Sequence, residues 1–448
     1  MRAPHPTPDM PWWLRPERFV LFIILPIGIA ISAAAAGLIE TNRAGYSATV
    51  FLNAFYVTLF LSGIAAVALG AVLARRLPLD EADVRFRDGA LDMLFLACML
   101  GYAVWFGPLI LSAPDLVLGA LTAQEGAVME IRERAPNVSG ITTLTQFGIA
   151  YACIYATKRF AFDERPGRRY DAYMILIMLV ALLRAAVYQE RLAVIELVFP
   201  VLVILCKSDR LTGALPLRAF RQTLPLLILA ASPIFFAIFE YNRSWINHYQ
   251  YEYDSYGQFV LERLGLYYVT ALNNIAGLLE NSAWGTYTGE WTLYWVYRLP
   301  VIGSLLSQAI GLEAGEIYVK VLDEYAHQEF NNATGVLIAH HDWGAIGGTL
   351  FLMAHGVLAG LAFRSFLRSR GFLQYFYPLI LYSLFEILRI GYLYDGRCVA
   401  ALIGLGIAYC GWGMKRAPDA APGRARIAAA RVHRASPRRP AAAHPGES

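Results

Sequence analysis

An all-α polytopic membrane protein with about ten transmembrane helices is the fold class the sequence predicts, and three observations lead there. Hydrophobic residues make up 57% of the 448-residue chain and charged residues only 16%, against roughly 25% charge in an ordinary soluble domain. The apolar residues gather in runs of about 20, the length that crosses a bilayer as a helix. Lysine and arginine concentrate in alternate connections between those runs, the pattern expected when basic loops stay in the cytoplasm.

The runs fall at 19–39, 50–73, 90–111, 138–157, 172–188, 192–206, 222–241, 340–363, 372–390 and 397–414. In lipid each must be helical, because its backbone groups have no water to bond. The basic set comprises Arg2, Arg15 and Arg18; Arg75, Arg76, Arg85 and Arg87; Lys158, Arg159, Arg165, Arg168 and Arg169. It continues with Lys207, Arg210, Arg218 and Arg221; Arg364, Arg368 and Arg370; then Lys415, Arg416 and the tail. These connections share one side, so both termini are expected in the cytoplasm. The net charge of +4 is therefore a topology signal and does not point to nucleic acid. All five cysteines lie in apolar stretches without a CxxC pair, as small buried hydrophobes do.

Five regions follow. Residues 1–18 form a proline-rich, basic cytoplasmic N-terminus. The Ala33–Ala36 run imitates a signal-peptide cleavage site, but the apolar stretch is long for a cleaved leader, and an uncleaved first span is expected. Residues 19–241 hold seven spans, with 172–188 and 192–206 forming either two full spans or a partly re-entrant pair. Residues 242–339 form a large, mostly helical extracytoplasmic loop. It carries ten acidic and four basic residues and many aromatics, and it is too long for a bare connector. Within it, 258–280 has the spacing of an amphipathic helix lying along the outer leaflet, and 299–311 is a second apolar candidate for the membrane surface. Residues 340–414 hold three spans, and 415–448 form a disordered basic cytoplasmic tail.

Polar residues gather where spans meet the outer face. Arg184, Glu190, Arg191 and Glu196 form the first group. Arg184, Tyr188 and Arg191 share a face if the helix continues through them. Arginine there runs against the positive-inside trend and calls for an anion. Either Glu190 or Glu196 supplies it as a structural pair, or a phosphate does, matched by the planar guanidinium. His340, His341 and Asp342 form the second group. They could supply a general base, or an interfacial helix start with a favourable dipole contact. A metal is a third reading, but no HExxH or other zinc spacing is present. The third group is Glu386, Arg389, Asp395 and Arg397, with local salt bridges or a further phosphate contact as alternatives. Arg243 and Glu240 pose the same choice. No Walker loop and no dinucleotide fingerprint occurs, so any chemistry is expected on the outer face, away from nucleotides.

The segments ITTLTQFG (141–148), QERLAVIELVFP (189–200), RLGLYYVTALNN (263–274), EFNNATGVL (329–337) and HHDWGAIGG (340–348) resemble the bacterial oligosaccharide repeat-unit polymerases, or O-antigen polymerases, over roughly residues 140–395. The resemblance implies a membrane-embedded, GT-C-like inverting glycosyltransferase that uses no metal or cofactor. It would act at the outer face of the bacterial inner membrane, with undecaprenyl-diphosphate-linked oligosaccharides as donor and acceptor. A chain-length regulator and a repeat-unit flippase of the same pathway would be partners, within a membrane lipid environment and without nucleic acid. The product would be a surface polysaccharide such as that of lipopolysaccharide. On this basis Arg191 and Arg184 are the leading diphosphate contacts, with Arg263, Arg243 and Arg389 behind them. Asn273, Asn274, Asn331 and Asn332 are candidate sugar contacts, and His340, His341, Asp342 or Glu190 is the candidate base. The rival functions are ligation of polysaccharide to lipid A-core, separable by acceptor, and export of lipid-linked sugars, which would predict small loops around a central cavity.

Overall fold

Burial of apolar surface and closure of every backbone hydrogen bond produce a helical bundle here. The computed structural model describes residues 10–416, apart from 47–48, 80–81, 123, 125, 136–137, 139, 163, 165, 209–214, 301 and 313. The expected disordered tail beyond 416, the first nine residues, and Arg2, Arg165 and Arg210 lie outside the described residues.

In the first half the helices are Pro16–Phe19 (α1), Leu25–Thr41 (α2), Ala54–Leu73 (α3), Gly89–Ser112 (α4), Pro114–Leu121 (α5), Ala127–Arg134 (α6), Phe147–Ala156 (α7), Arg168–Tyr188 (α8) and Leu192–Lys207 (α9). Then come Leu215–Glu240 (α10), Tyr256–Asn281 (α11), Tyr294–Tyr297 (α12), Ile302–Ile310 (α13), Ala314–Tyr325 (α14), Leu337–Arg368 (α15), Leu373–Glu386 (α16) and Gly396–Trp412 (α17). A π-helical stretch joins α1 to α2, and another, Tyr241–Tyr249, extends α10. Among the described residues the only sheet is the antiparallel pair β1 (Asp83–Phe86) and β2 (Gly413–Arg416). Apart from that ribbon, the regular structure of the described residues is thus helical.

Among the described residues six helical stretches are long and apolar enough to cross a membrane: Pro16–Thr41, Ala54–Arg76, Gly89–Ser112, Arg168–Tyr188, Pro216–Glu240 and Leu337–Arg368. The other four predicted runs are also helical but shorter. They contain α7, α9, α16 and α17, of 10, 16, 14 and 17 residues. These four pack on one another, and nearly all of α7 is buried. The run at 138–157 opens with a 3₁₀ stretch, Thr142–Gln146, before α7 begins.

α3 and α15 pack closely along their length. A Cβ added to Gly356 would lie 2.0 Å from the Val67 carbonyl oxygen, and one added to Gly70 would lie 2.0 Å from that of Met353. Small residues let two backbones meet this closely, which is how helices hold together where lipid and side chain are equally apolar. α15 is itself two helices joined at Gly344, whose φ of 71° lies in the left-handed region. The break frees the His341 and Asp342 carbonyls, and the Gly285 and Tyr287 amides donate to them at 2.7 and 2.8 Å. That stitches the large loop to the bundle.

Within the loop, α11 covers the predicted 258–280 helix. Its apolar face is taken up by protein: α11 packs on α2, α10 and α14, and Phe259, Leu266, Leu272 and Ile275 are buried. α13, by contrast, leaves Ile302, Leu305 and Ile310 exposed, the free apolar face of a helix that can lie on a membrane.

Candidate functional site

The turn between α8 and α9 sets the site. Gln189 adopts φ 53° and ends α8, so the helix does not continue and Arg184 and Arg191 do not share a face. They diverge to different partners. Arg184 is buried and donates from Nε and Nη2 to Glu190 Oε2 at 2.9 and 2.7 Å. It also stacks over Trp105 at 4.5 Å. Arg397 pairs with the other Glu190 oxygen and reaches Glu196 at 3.5 Å. The expected local partner of Arg397, Asp395, instead accepts from the Arg397 amide at 2.8 Å and caps α17. Arg184 and Glu196 are buried here, while Glu190 and Arg397 keep some exposure and Glu190 also borders the cavity described below.

Arg191 turns the other way, to Glu240, a partner the sequence reading placed in a different group. Glu240 is fully buried at the end of α10, and three arginines surround it. Arg263 Nε donates to Oε2 at 2.8 Å and Ser244 Oγ donates to it at 3.1 Å. The Oε1 atom accepts no hydrogen bond among the described residues. Arg191 and Arg243 stand 3.5 and 3.6 Å from it, as loose ion pairs. Arg263 also grips Glu329, which accepts from the Tyr249 hydroxyl at 2.6 Å. Burial lowers the Arg263 pKa, but Glu240 and Glu329 outweigh it and the net shift is upward. For Glu329, burial pushes its carboxyl up, while Arg263 and the Tyr249 hydroxyl carry it below the ordinary carboxylate value.

In front of this cluster lies a cavity of about 500 Å³. Arg132, Arg191, Arg243 and Arg389 line it together with Glu190, Glu329 and Glu386, and Asn331, Asn332, Tyr267 and Tyr268 complete its polar end. The rest is apolar, built by Ile195, Val198, Phe199 and Leu202 of α9 facing Ile228, Ala231 and Phe235 of α10. Arg389 is held by Glu386 at 2.8 Å, the predicted i, i+3 pair. Arg132 and Arg191 are less fully compensated: burial lowers both, with Arg243 adding to the lowering at each and Glu240 opposing it at Arg191. Both stay charged at neutral pH, since guanidinium begins so high. A hollow with surplus cations at one end and hydrocarbon at the other suits an anionic headgroup on an apolar tail.

The remaining candidates lie elsewhere. None of His340, His341 and Asp342 is among the cavity's lining residues. His340 is buried, with Nδ1 at 3.0 Å from the Val336 carbonyl. His341 lies between Asp342 and Ser282 at 3.5 and 3.4 Å. Asp342 accepts from the Trp291 and Thr292 amides and from the Thr292 hydroxyl at 3.1, 2.7 and 2.8 Å, so it anchors the loop. Asn273 accepts from the Phe51 amide at 2.8 Å and donates to the Thr49 carbonyl at 3.0 Å. Asn274 accepts from the Tyr46 hydroxyl at 2.5 Å and donates to the Phe330 carbonyl at 2.7 Å. Both are buried and committed to holding the chain before α3. Arg263 is wholly buried and does not line the cavity; it steadies Glu240 behind it and Glu329 in its wall.

The sequence reading did not single out Arg132, and Glu329 entered it only as the first residue of EFNNATGVL. Arg132 lies in a connection expected outside the membrane, so the same positive-inside exception that singled out Arg191 was present for it. Glu329 carried no local signal, because its partner Arg263 is 66 residues away. Among the described residues no group of three or more His, Cys, Asp or Glu is arranged to hold a metal. No protein-family model matches the chain, and no curated protein or solved structure matches it either. Function has to be read from the chemistry of the cavity.

Proposed function

We propose that the chain polymerises undecaprenyl-diphosphate-linked oligosaccharide repeat units into a surface polysaccharide, by metal-independent inverting glycosyl transfer at the outer face of the bacterial inner membrane. All ten apolar helical runs then cross the bilayer with both chain ends in the cytoplasm. The observation that carries the reading is the cavity, which joins an arginine-rich end to an apolar trough between α9 and α10.

In this reading the prenyl chain lies in the trough, and Arg191, Arg243 and Arg132 hold the diphosphate. The acceptor hydroxyl attacks the anomeric carbon of the donor from the face opposite the diphosphate. The bond from that carbon to the phosphate oxygen breaks, and the leaving diphosphate takes the electron pair and gains charge. Fixed guanidinium groups stabilise that charge without reorganising. The hydroxyl proton passes to a carboxylate, and of the four bases weighed from the sequence, Glu190 is the one that lines the cavity. Asn331, Asn332 and Tyr268 offer polar edges and an aromatic ring to the sugar. Asp342 anchors the loop, His341 faces Ser282, and His340 is bonded within its own helix.

The test is Arg191→Ala at equal expression, supplied with lipid-linked repeats alone. Loss of one cationic contact to the leaving group is expected to cut polymer yield by roughly 10²-fold, with single repeats accumulating. Polymer of unchanged length and yield would remove the reading.

A further inference from the structure

Glu240 is an odd neighbour for an anion site. It is a fully buried carboxylate directly behind two arginines that line the cavity. Its two oxygens are treated differently. Oε2 is anchored by Arg263 and Ser244 at hydrogen-bond distance. Oε1 accepts no hydrogen bond among the described residues and points between the guanidiniums of Arg191 and Arg243 at 3.5 and 3.6 Å. Arg191 is further steadied over the Phe236 ring at 4.2 Å. A purely structural pair would close those distances, since a buried carboxylate gains most from short, well-aligned bonds.

We propose that Glu240 is a positioning residue that serves as the resident counterion of the site: its Oε1 draws Arg191 and Arg243 back from the cavity and competes from behind with the diphosphate they bind. The inference rests on the polymerase reading and concerns turnover. Two arginines without a counter-charge would hold a lipid diphosphate tightly before and after transfer. The leaving group carries more charge than the substrate did, so it would be held hardest at the moment it must depart. A carboxylate fixed by Arg263 takes up part of the pull of both guanidiniums and returns to full contact as the product leaves. Binding is weakened and release is quickened, which favours an enzyme limited by product departure.

The test uses the purified full chain in nanodiscs, with polyprenyl diphosphate and inorganic pyrophosphate titrated separately. Glu240→Gln keeps the shape and removes the charge. It should bind both probes about tenfold more tightly, as expected when a like charge is taken from behind an anion site. Multiple-turnover polymerisation should slow while single-turnover transfer does not, with KM and kcat falling together. Glu240→Asp keeps a charge for Arg263 but withdraws the second oxygen from Arg191 and Arg243. It should shift binding in the same direction by less, and it stands in should the glutamine variant fail to fold. Variants that bind both probes no better than wild type, or more weakly, would show a structural role and overturn the proposal. A gain confined to the lipid probe would place the effect in the trough and overturn it equally. Wild type that binds neither probe would overturn the polymerase reading along with it, whereas wild-type binding without the variant gain overturns this inference alone.

Discussion

At the scale of single residues, the site divides into side chains that line the cavity and side chains that hold the lining in place. Asp342 belongs to the second kind. Its carboxylate accepts two loop amides and a hydroxyl, so Asp342→Asn replaces an acceptor with a donor facing donors. About 2 kcal/mol of destabilisation is expected, seen as a lower melting temperature, with transfer activity per folded molecule retained. Loss of activity at unchanged stability would return Asp342 to the list of bases. Glu329 makes a pH prediction. Its pKa is lower folded than unfolded, through Arg263 and Tyr249 against the effect of burial. Its contribution is therefore complete above the unfolded value of about 4.3 and is lost as pH falls through the lower folded value. The wild-type melting temperature should fall more steeply on acidification below about pH 5 than that of Glu329→Gln. Parallel acid limbs would contradict this.

At the scale of elements, the α3–α15 contact is the joint on which the C-terminal bundle depends. Gly70 and Gly356 bring the two backbones together, and α15 carries the Gly344 break that receives the loop. Gly356→Leu puts a side chain where the Val67 carbonyl already lies, which small shifts cannot relieve. Failure to accumulate folded protein is expected, read as monodisperse yield after detergent extraction. Gly406→Leu, on α17 where nothing lies within 4 Å of the added Cβ, is the matched control and should extract as wild type. The helices themselves were legible in the sequence, because each apolar run has only one way to satisfy its backbone in lipid. The break at 189–191 was legible too, as the gap between two runs, but its left-handed geometry at Gln189 was not. Nothing in QER marks a left-handed residue, and on its conformation depends whether Arg184 and Arg191 share a partner.

At the scale of the whole molecule, the alternation of basic connections makes a prediction independent of any function. Single cysteines at Arg87 and at Glu290, in a background where Cys410 is replaced, should label from opposite sides of the membrane. Arg87 lies beside the β1–β2 ribbon and Glu290 in the large loop. Labelling from one side would dismantle the topology on which the outer-face site stands. The all-α class, the helix positions and the arginines that stand apart from the main basic connections follow from the sequence alone, since hydropathy and charge act locally along the chain. The local pair of Glu386 and Arg389 was legible as well, but the distant pairings were not. Arg191 finds Glu240 and Arg263 finds Glu329 through contacts 49 and 66 residues apart. Such pairings are settled by how α9, α10 and α11 pack, and only packing made a cavity with cations at one end and hydrocarbon at the other.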